Sequence, residues 1–501
     1  MTSFIKCPPC SEGIKSLSNT SASNPTNSQP IDARRLLEGP IVTSLFRLAI
    51  PIVLANVLQS GYQLTDTFWV GRLGGDAVAA VAVSFPITFL LLALGAGLAI
   101  AGSTLVAQYW GAGNTMMVNH VAGQTLLLVG LASVVLGIGG YVMAPMILHA
   151  MGVTPAVFEG ALEFMRISYG GLIFIFGFAM IQALLHGVGV VIAPMLIVLG
   201  TVFLNFLLDP LFIFGWGPLP PFGVAGAALA TVGTQSLAAC VGLAILLSGK
   251  FGIHVRIKNL KPDPSFIARV FKLGLPASIE QSTRALGITV LTFLIVRFGT
   301  ITVAAYGIGA AILGFVLIPA MGLSIATSTL VGQNIGAGQA ERADAIARLG
   351  AIIAFVGLSA IGAGVFFWAT SLVTFFVPTD PPVVTAAVTF LQIVSPSFGF
   401  MGLQLALMGV FRAAGKMVVA MTLALFSQWI LQFPLAYILS IHTSLGPSGL
   451  WWAFPISNIL VAIAAIIWFL RGDWKTTRLT EEERLTASVS DEILVEEGFH
   501  P

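Results

Sequence analysis

Three carboxylates stand inside long apolar stretches of this sequence: Asp66, Asp209 and Glu280. A carboxylate within a lipid-crossing helix costs at least ~2.5–3.5 kcal/mol, so each is a functional candidate. Around Asp66, the residues Asn56, Gln59, Gln63 and Asp66 recur at spacings of three or four, one polar stripe on an otherwise apolar helix. Asn205 and Asp209 are one helical turn apart and share a face. Each aspartate falls about five residues before the outer end of its stretch, at ~1.5 Å per residue. They can therefore meet at one depth. Two carboxylates so placed should not both be ionised. A shared proton, or a sodium ion held by Asp66, Asn205 and Asp209, would neutralise them, which is the chemistry of an ion-coupling site. Interhelical hydrogen bonding alone returns only ~0.6 kcal/mol on average, poor compensation for a charge. Glu280 and Arg284 lie four apart with the acid first, the favoured order for an intrahelical pair. They could neutralise each other structurally or contact a charged substrate, and Gln59 and Gln63 are further candidate contacts. Phe174, Phe176, Phe178, Phe398 and Phe400 could line an apolar cleft for flat cations or face lipid.

These groups must be carried by membrane helices. Of 501 residues, 57% are hydrophobic and 9% charged, against about 25% charged in a soluble protein. The apolar residues come in blocks of ~20 or more, enough to cross a ~30 Å hydrocarbon core. Backbone groups there must be satisfied within the segment, so the blocks are helices. Breaks at Gly, Pro and charge predict twelve spans, over 46–71, 77–108, 119–143, 162–187, 191–214, 223–248, 268–297, 302–333, 345–371, 383–411, 417–440 and 447–470. Nineteen of the 23 Lys and Arg fall in the tails and even-numbered loops, and three (Arg72, Arg166, Arg297) on the other side. Positive charge stays in the cytoplasm, so both termini are expected there, in the inner (plasma) membrane. Residues 1–40 read as a disordered tail, 249–267 as a basic cytoplasmic linker and 471–501 as a solvated charged tail.

The chain repeats itself. Shifted by 225 residues, Pro51–Asn114 overlays Pro276–Gln339 with 22 identities in 64 positions. The stretch Ile100–Gly113 matches Ile325–Gly338 at ten of fourteen, including polar Ser, Thr and Gln, so shared hydrophobicity does not explain it. A weaker echo places Gln182 and Gly187 opposite Gln404 and Gly409, and a shift of 223 places Asn205 and Asp209 opposite Gln428 and Gln432, although aligning Pro210 with Pro434 moves that register by one. Six spans per unit means that the copies insert in the same direction. The expected architecture is all-α, a bundle over 41–248 and another over 268–470, around a central cleft suited to alternating access. No filter-like re-entrant loop suggests a channel. The six histidines are scattered, no basic patch suits nucleic acid, and Cys7-Pro8-Pro9-Cys10 lacks a second pair for zinc, so neither an enzyme nor a resident cofactor is expected. Asp66 aligns with Leu291, which places ion coupling in the first half. Pro51, inside the first span, should kink it below Asp66.

The segments Asp66-Thr67-Phe68-Trp69-Val70-Gly71-Arg72-Leu73-Gly74, Gln108-Tyr109-Trp110-Gly111-Ala112-Gly113 and Gln333-Asn334-Ile335-Gly336-Ala337-Gly338 resemble the multidrug and toxic compound extrusion (MATE) family, nearest its prokaryotic DinF-like branch. Leu204–Ile213 resembles the family's fifth helix. The resemblance covers about residues 40–470. It implies a V-shaped pair of bundles and a monomeric antiporter that exports small organic, often cationic, compounds in exchange for H+ or Na+. It also implies ion coupling at Asp66, Asn205 and Asp209, and makes a bend at Pro51 tied to protonation plausible. The family's Arg and Asp at the turn after the fourth span are replaced by His186-Gly187-Val188-Gly189, whereas Arg412-Ala413-Ala414-Gly415-Lys416 keeps the second-half version. A lipid-linked precursor flippase of related architecture is the alternative. It would want a strongly cationic cavity, and Arg284 is the one cation expected inside the spans.

Overall fold

The computed structural model describes residues 36–216, 220–378, 380–475 and 477–480. Cys7, Cys10, nearly all of the N-terminal tail and the acidic C-terminal run lie outside the described residues. Among those described the chain is helical and multi-pass. The first repeat comprises α1 (Ile41–Gly71), α2 (Gly75–Gly111), α3 (Thr115–Ala150), α4 (Pro155–Gly170), α5 (Leu172–Gly187), α6 (Ile192–Phe214) and α7 (Val224–Ser248). The second comprises α8 (Pro264–Val296), α9 (Thr300–Gly336), α10 (Ala340–Phe367), α11 (Ala369–Phe376), α12 (Pro381–Val394), α13 (Phe398–Ala413), α14 (Met417–Leu425), α15 (Phe433–Ile441) and α16 (Pro447–Leu470). Eleven stretches are long and apolar enough to cross a membrane, and α4 with α5, bent by 50°, makes the twelfth.

Local chemistry explains the boundaries. Asn114 and Asp263 cap α3 and α8 by accepting the N–H of Met117 (3.0 Å) and Phe266 (3.1 Å). Proline occupies the first turn of α4, α8, α12 and α16, where its missing N–H costs nothing. Because Asp263-Pro264 starts α8, the helix begins inside the segment read as linker. That segment is also docked, with Gln124 donating to the carbonyls of Asn259 (2.8 Å) and Lys261 (2.7 Å). Helix α1 runs unbroken through Pro51.

The repeat is visible in three dimensions. Helices α2 and α9 each have 37 residues and stand 225 apart, both entered from a positive-φ glycine, Gly74 and Gly299. Helices α5 and α13 each have 16 residues and stand 226 apart. This corrects the weaker echo by one helical turn: Gly187 corresponds to Ala413 rather than Gly409, and His186 to Arg412. Pairing Gln182 with Gln404 follows residue type alone, whereas the helix ends give the register. A π-helical segment, Phe426–Gln432, interrupts the eleventh span. Ile192 and Met417, the helix starts, are 225 apart, whereas Phe214 and Ile441, the ends, are 227 apart. No single offset therefore holds there, and Gln428 and Gln432 do not stand opposite Asn205 and Asp209 as expected.

The two repeats meet at one end. A methyl at Gly111 would land on the carbonyl of Gln333, and one at Gly336 on the carbonyl of Gln108. Small residues permit this backbone approach. Gln108 Nε2 donates to the Ala413 carbonyl (2.7 Å) and Gln333 Nε2 to the Gly187 carbonyl (2.8 Å). Each glutamine thereby satisfies an orphan carbonyl at the end of a helix in the other repeat. Two apolar clusters here draw on both repeats, one joining Leu45, Leu48 and Ile52 to Leu330, Val331 and Phe411, the other joining Leu105 and Leu184 to Phe266 and Val270. The clusters toward the opposite face each stay within one repeat. The protein is closed where the chain ends emerge, a face called here the terminal face, and its bundles have separate cores on the other.

Both described chain ends reinforce that closure. Leu36 is buried, and Arg342 donates to the Gly39 carbonyl. The beginning of the segment read as a solvated tail is packed as well. Trp474 and Leu479 are buried, the Leu479 N–H donates to Gln108 Oε1 (2.9 Å), and Arg269 donates to the Leu479 carbonyl. Charge in the sequence masked these two apolar anchors.

Candidate ion-coupling site

Helices α1, α6 and α7 pack together in the first repeat and bring the predicted groups into contact. Asn205 and Asp209 are fully buried, and Asn205 Nδ2 donates to Asp209 Oδ1 at 2.9 Å. Asp66 lies across the α1–α6 interface, close enough to interact electrostatically with both. Its Oδ2 accepts from Thr231 Oγ1 of α7 at 3.2 Å. Three oxygens remain buried without a donor: Asp66 Oδ1, Asp209 Oδ2 and Asn205 Oδ1. Buried acceptors are normally satisfied, and leaving one unmade costs ~1–3 kcal/mol. Three together, on two carboxyl groups and one amide, suit a proton shared by the carboxyls or a small hard cation with oxygen ligands.

Helix α7 supplies a surround that sequence reasoning missed. The Tyr62 hydroxyl pairs with Thr234 Oγ1 at 3.0 Å, and Thr234 donates to the Thr231 carbonyl at 2.9 Å. Tyr62 lies one turn before Asp66, a spacing visible in the chain. Thr231 and Thr234 lie among Ala and Gly with no pattern to mark them. The glutamines behave differently. Gln59 and Gln63 are exposed on α1, and neither side chain has a hydrogen bond among the described residues. The polar stripe therefore divides into a half-buried edge, Asn56 and Asp66, and an exposed edge, Gln59 and Gln63, with the buried Tyr62 beside the first.

The second repeat holds a different cluster. Glu280 is fully buried and Arg284 Nη2 donates to its Oε1 at 3.1 Å, the intrahelical pair anticipated from spacing. Arg412, read as a loop residue, also reaches Glu280 Oε1 (3.5 Å) and Ser324 Oγ (3.3 Å). Arg284 is therefore not the one cation inside the spans. Arg412 ends α13, where a long side chain can fold back into the bundle. Of the aromatics expected to line a cleft or face lipid, Phe176, Phe178 and Phe398 do neither and are buried in cluster interiors.

Up to twelve membrane-crossing spans in two repeats, with buried ionisable groups inside each bundle, are the architecture of a duplicated membrane transporter. The sequence model of the MatE family matches residues 51–211 and again 276–438. The chain belongs to the MatE family. It is 28% identical to the Bacillus subtilis (strain 168) "Probable multidrug resistance protein YoeA", over 91% of this chain and 99% of that one. It is 25% identical to a Shewanella oneidensis "FAD transporter", over 86% and 95%. A crystal structure of a MATE protein in the bent conformation superposes with a TM-score of 0.83 at 25% identity, covering 89% of this chain and 99% of that one. A straight conformation gives 0.80.

Proposed function

We propose that the protein is a secondary antiporter of the plasma membrane that exports small organic, often cationic, compounds in exchange for H+ or Na+. The carrying observation is the trio of unpartnered oxygens on Asp66, Asn205 and Asp209. With an ion or proton bound, the site is neutral and satisfied; without one, two contacting carboxylates repel in a low-dielectric surround. The ion state thus has differential affinity for different packings of α1 against α6 and α7, which is what coupling requires. Pro51, about four turns below Asp66 on α1, provides a position where that helix can bend, and the bent and straight conformations named for the two structural neighbours support such a motion. Alternating access then exchanges the closed terminal face, placed in the cytoplasm by its positive charge, for closure on the opposite side. The names of the relatives, multidrug resistance proteins and an FAD transporter, support organic cargo. A monomer contains both repeats and suffices.

The test is efflux from proteoliposomes under an imposed pH gradient, then a sodium gradient, with a panel of organic cations. Asp66→Asn and Asp209→Asn should each abolish gradient-driven export at normal expression. Ion-driven export at wild-type rate by both variants would overturn the assignment.

A further inference from the structure

The Glu280 cluster is not charge-balanced. Two guanidinium groups, Arg284 and Arg412, converge on one oxygen of one carboxylate. Among the described residues no other carboxylate stands inside the spans of the second repeat. Glu341, Asp344 and Asp380 lie in the first turns of α10 or at the cap of α12, and Asp344 is already paired with Arg348 (2.9 Å) and Lys475 (3.0 Å). One positive charge is left over in an apolar bundle, where an unpaired charge is expensive. The excess sits on Arg284. Arg412 is only 12% exposed and spends its other Nη on Ser324, whereas Arg284 is 32% exposed. The described hydrogen bonds of Arg284 all run through Nη2, to Glu280 and the Met408 sulfur. Its Nε and the two N–H groups of Nη1 are left over, donors of the kind that grip an oxyanion with charge-assisted bonds.

The repeat shows that this is not a scaffold requirement. The positions equivalent to Glu280 and Arg284 in the first repeat are Ala55 and Gln59, and Arg412 corresponds to His186. The first bundle therefore carries an acidic pair and the second a surplus cation. We infer that Arg284 forms an oxyanion-accepting subsite in the second bundle, so that the transporter prefers compounds carrying a carboxylate or phosphate, zwitterions included, over pure cations of the same shape. This rests on the export reading and names its cargo class.

A matched pair of dyes isolates the subsite: a rhodamine ethyl ester, a monocation, and its free acid, a zwitterion differing only in the carboxylate. Binding of each to the purified full chain and gradient-driven efflux from proteoliposomes are measured for wild type, Arg284→Gln and Arg284→Lys. Arg284→Gln leaves Glu280 paired one-to-one with Arg412, so the fold keeps a neutral pair. Wild type should favour the acid by about tenfold. Arg284→Gln should bring that ratio to about one, and Arg284→Lys, which keeps the charge but not the planar guanidinium, should give an intermediate ratio. Equal binding of both dyes by wild type, preference for the ester, or an acid preference that survives Arg284→Gln overturns the inference while leaving export intact. Binding and efflux of neither dye would overturn the export reading, and the inference with it.

Discussion

Gly111→Ala is the sharpest probe of the closed face. The added methyl would coincide with the Gln333 carbonyl, a backbone atom that cannot rotate aside, so α2 and α9 must part by ~1 Å or more to reach ordinary carbon–oxygen contact. That separation carries the two side-chain bonds made at the crossing, Gln108 to Ala413 at 2.7 Å and Gln333 to Gly187 at 2.8 Å. At ~0.5–1.5 kcal/mol net each, their loss weakens the closed state by roughly 1–3 kcal/mol, a factor of about 5–150 in its population relative to the open one. The assay is maleimide labelling of a single cysteine placed at Ala413, which is fully buried, in a background with the three native cysteines replaced. Labelling of Gly111→Ala should rise by that factor, and Gly336→Ala should do the same by symmetry. Labelling within about twofold of the parent, in protein that remains folded, would refute the reasoning that this crossing is the seal.

Three other outcomes follow from the same geometry. Glu280→Gln takes the one buried carboxylate from two partly buried guanidinium groups and should cost at most about 3–5 kcal/mol, read as a fall in thermal unfolding temperature; adding Arg412→Gln should restore part of it. Asp263→Ala removes the cap of α8 and should cost ~1 kcal/mol. The Asp263 carboxyl is held below its usual range by hydrogen bonds from the Ser265 hydroxyl and then the Phe266 N–H, with His120 adding to it. Its contribution is therefore present above the ordinary aspartate value near ~4 and disappears as pH falls through the lowered one, so wild type and variant should converge in acid melts. Leu479→Ala removes a side chain buried where the repeats join and should weaken closure by about 2–3 kcal/mol, seen as faster labelling at Ala413.

Much of the architecture is legible in the sequence. Apolar block length sets the number of spans, and identities between Pro51–Asn114 and Pro276–Gln339 reveal the duplication. Helical spacing puts Asn205 beside Asp209 and Glu280 beside Arg284, because neighbours three or four apart are set by the helix itself. Register between distant helices is another matter. The His186–Arg412 correspondence and the π segment after Leu425 are invisible to a fixed offset, since one irregular turn changes the count without changing composition.

What the sequence by itself determined is a membrane protein of two like repeats, with rare carboxylates in each. Only the tertiary structure decided which groups share a site. It set Thr231 against Asp66, folded Arg412 back onto Glu280, and packed Leu479 between the repeats. Polar contacts between helices depend on rotation and depth, which apolar surroundings leave almost unmarked in the chain. The buried charges report their cost in one dimension, but their partners are chosen in three.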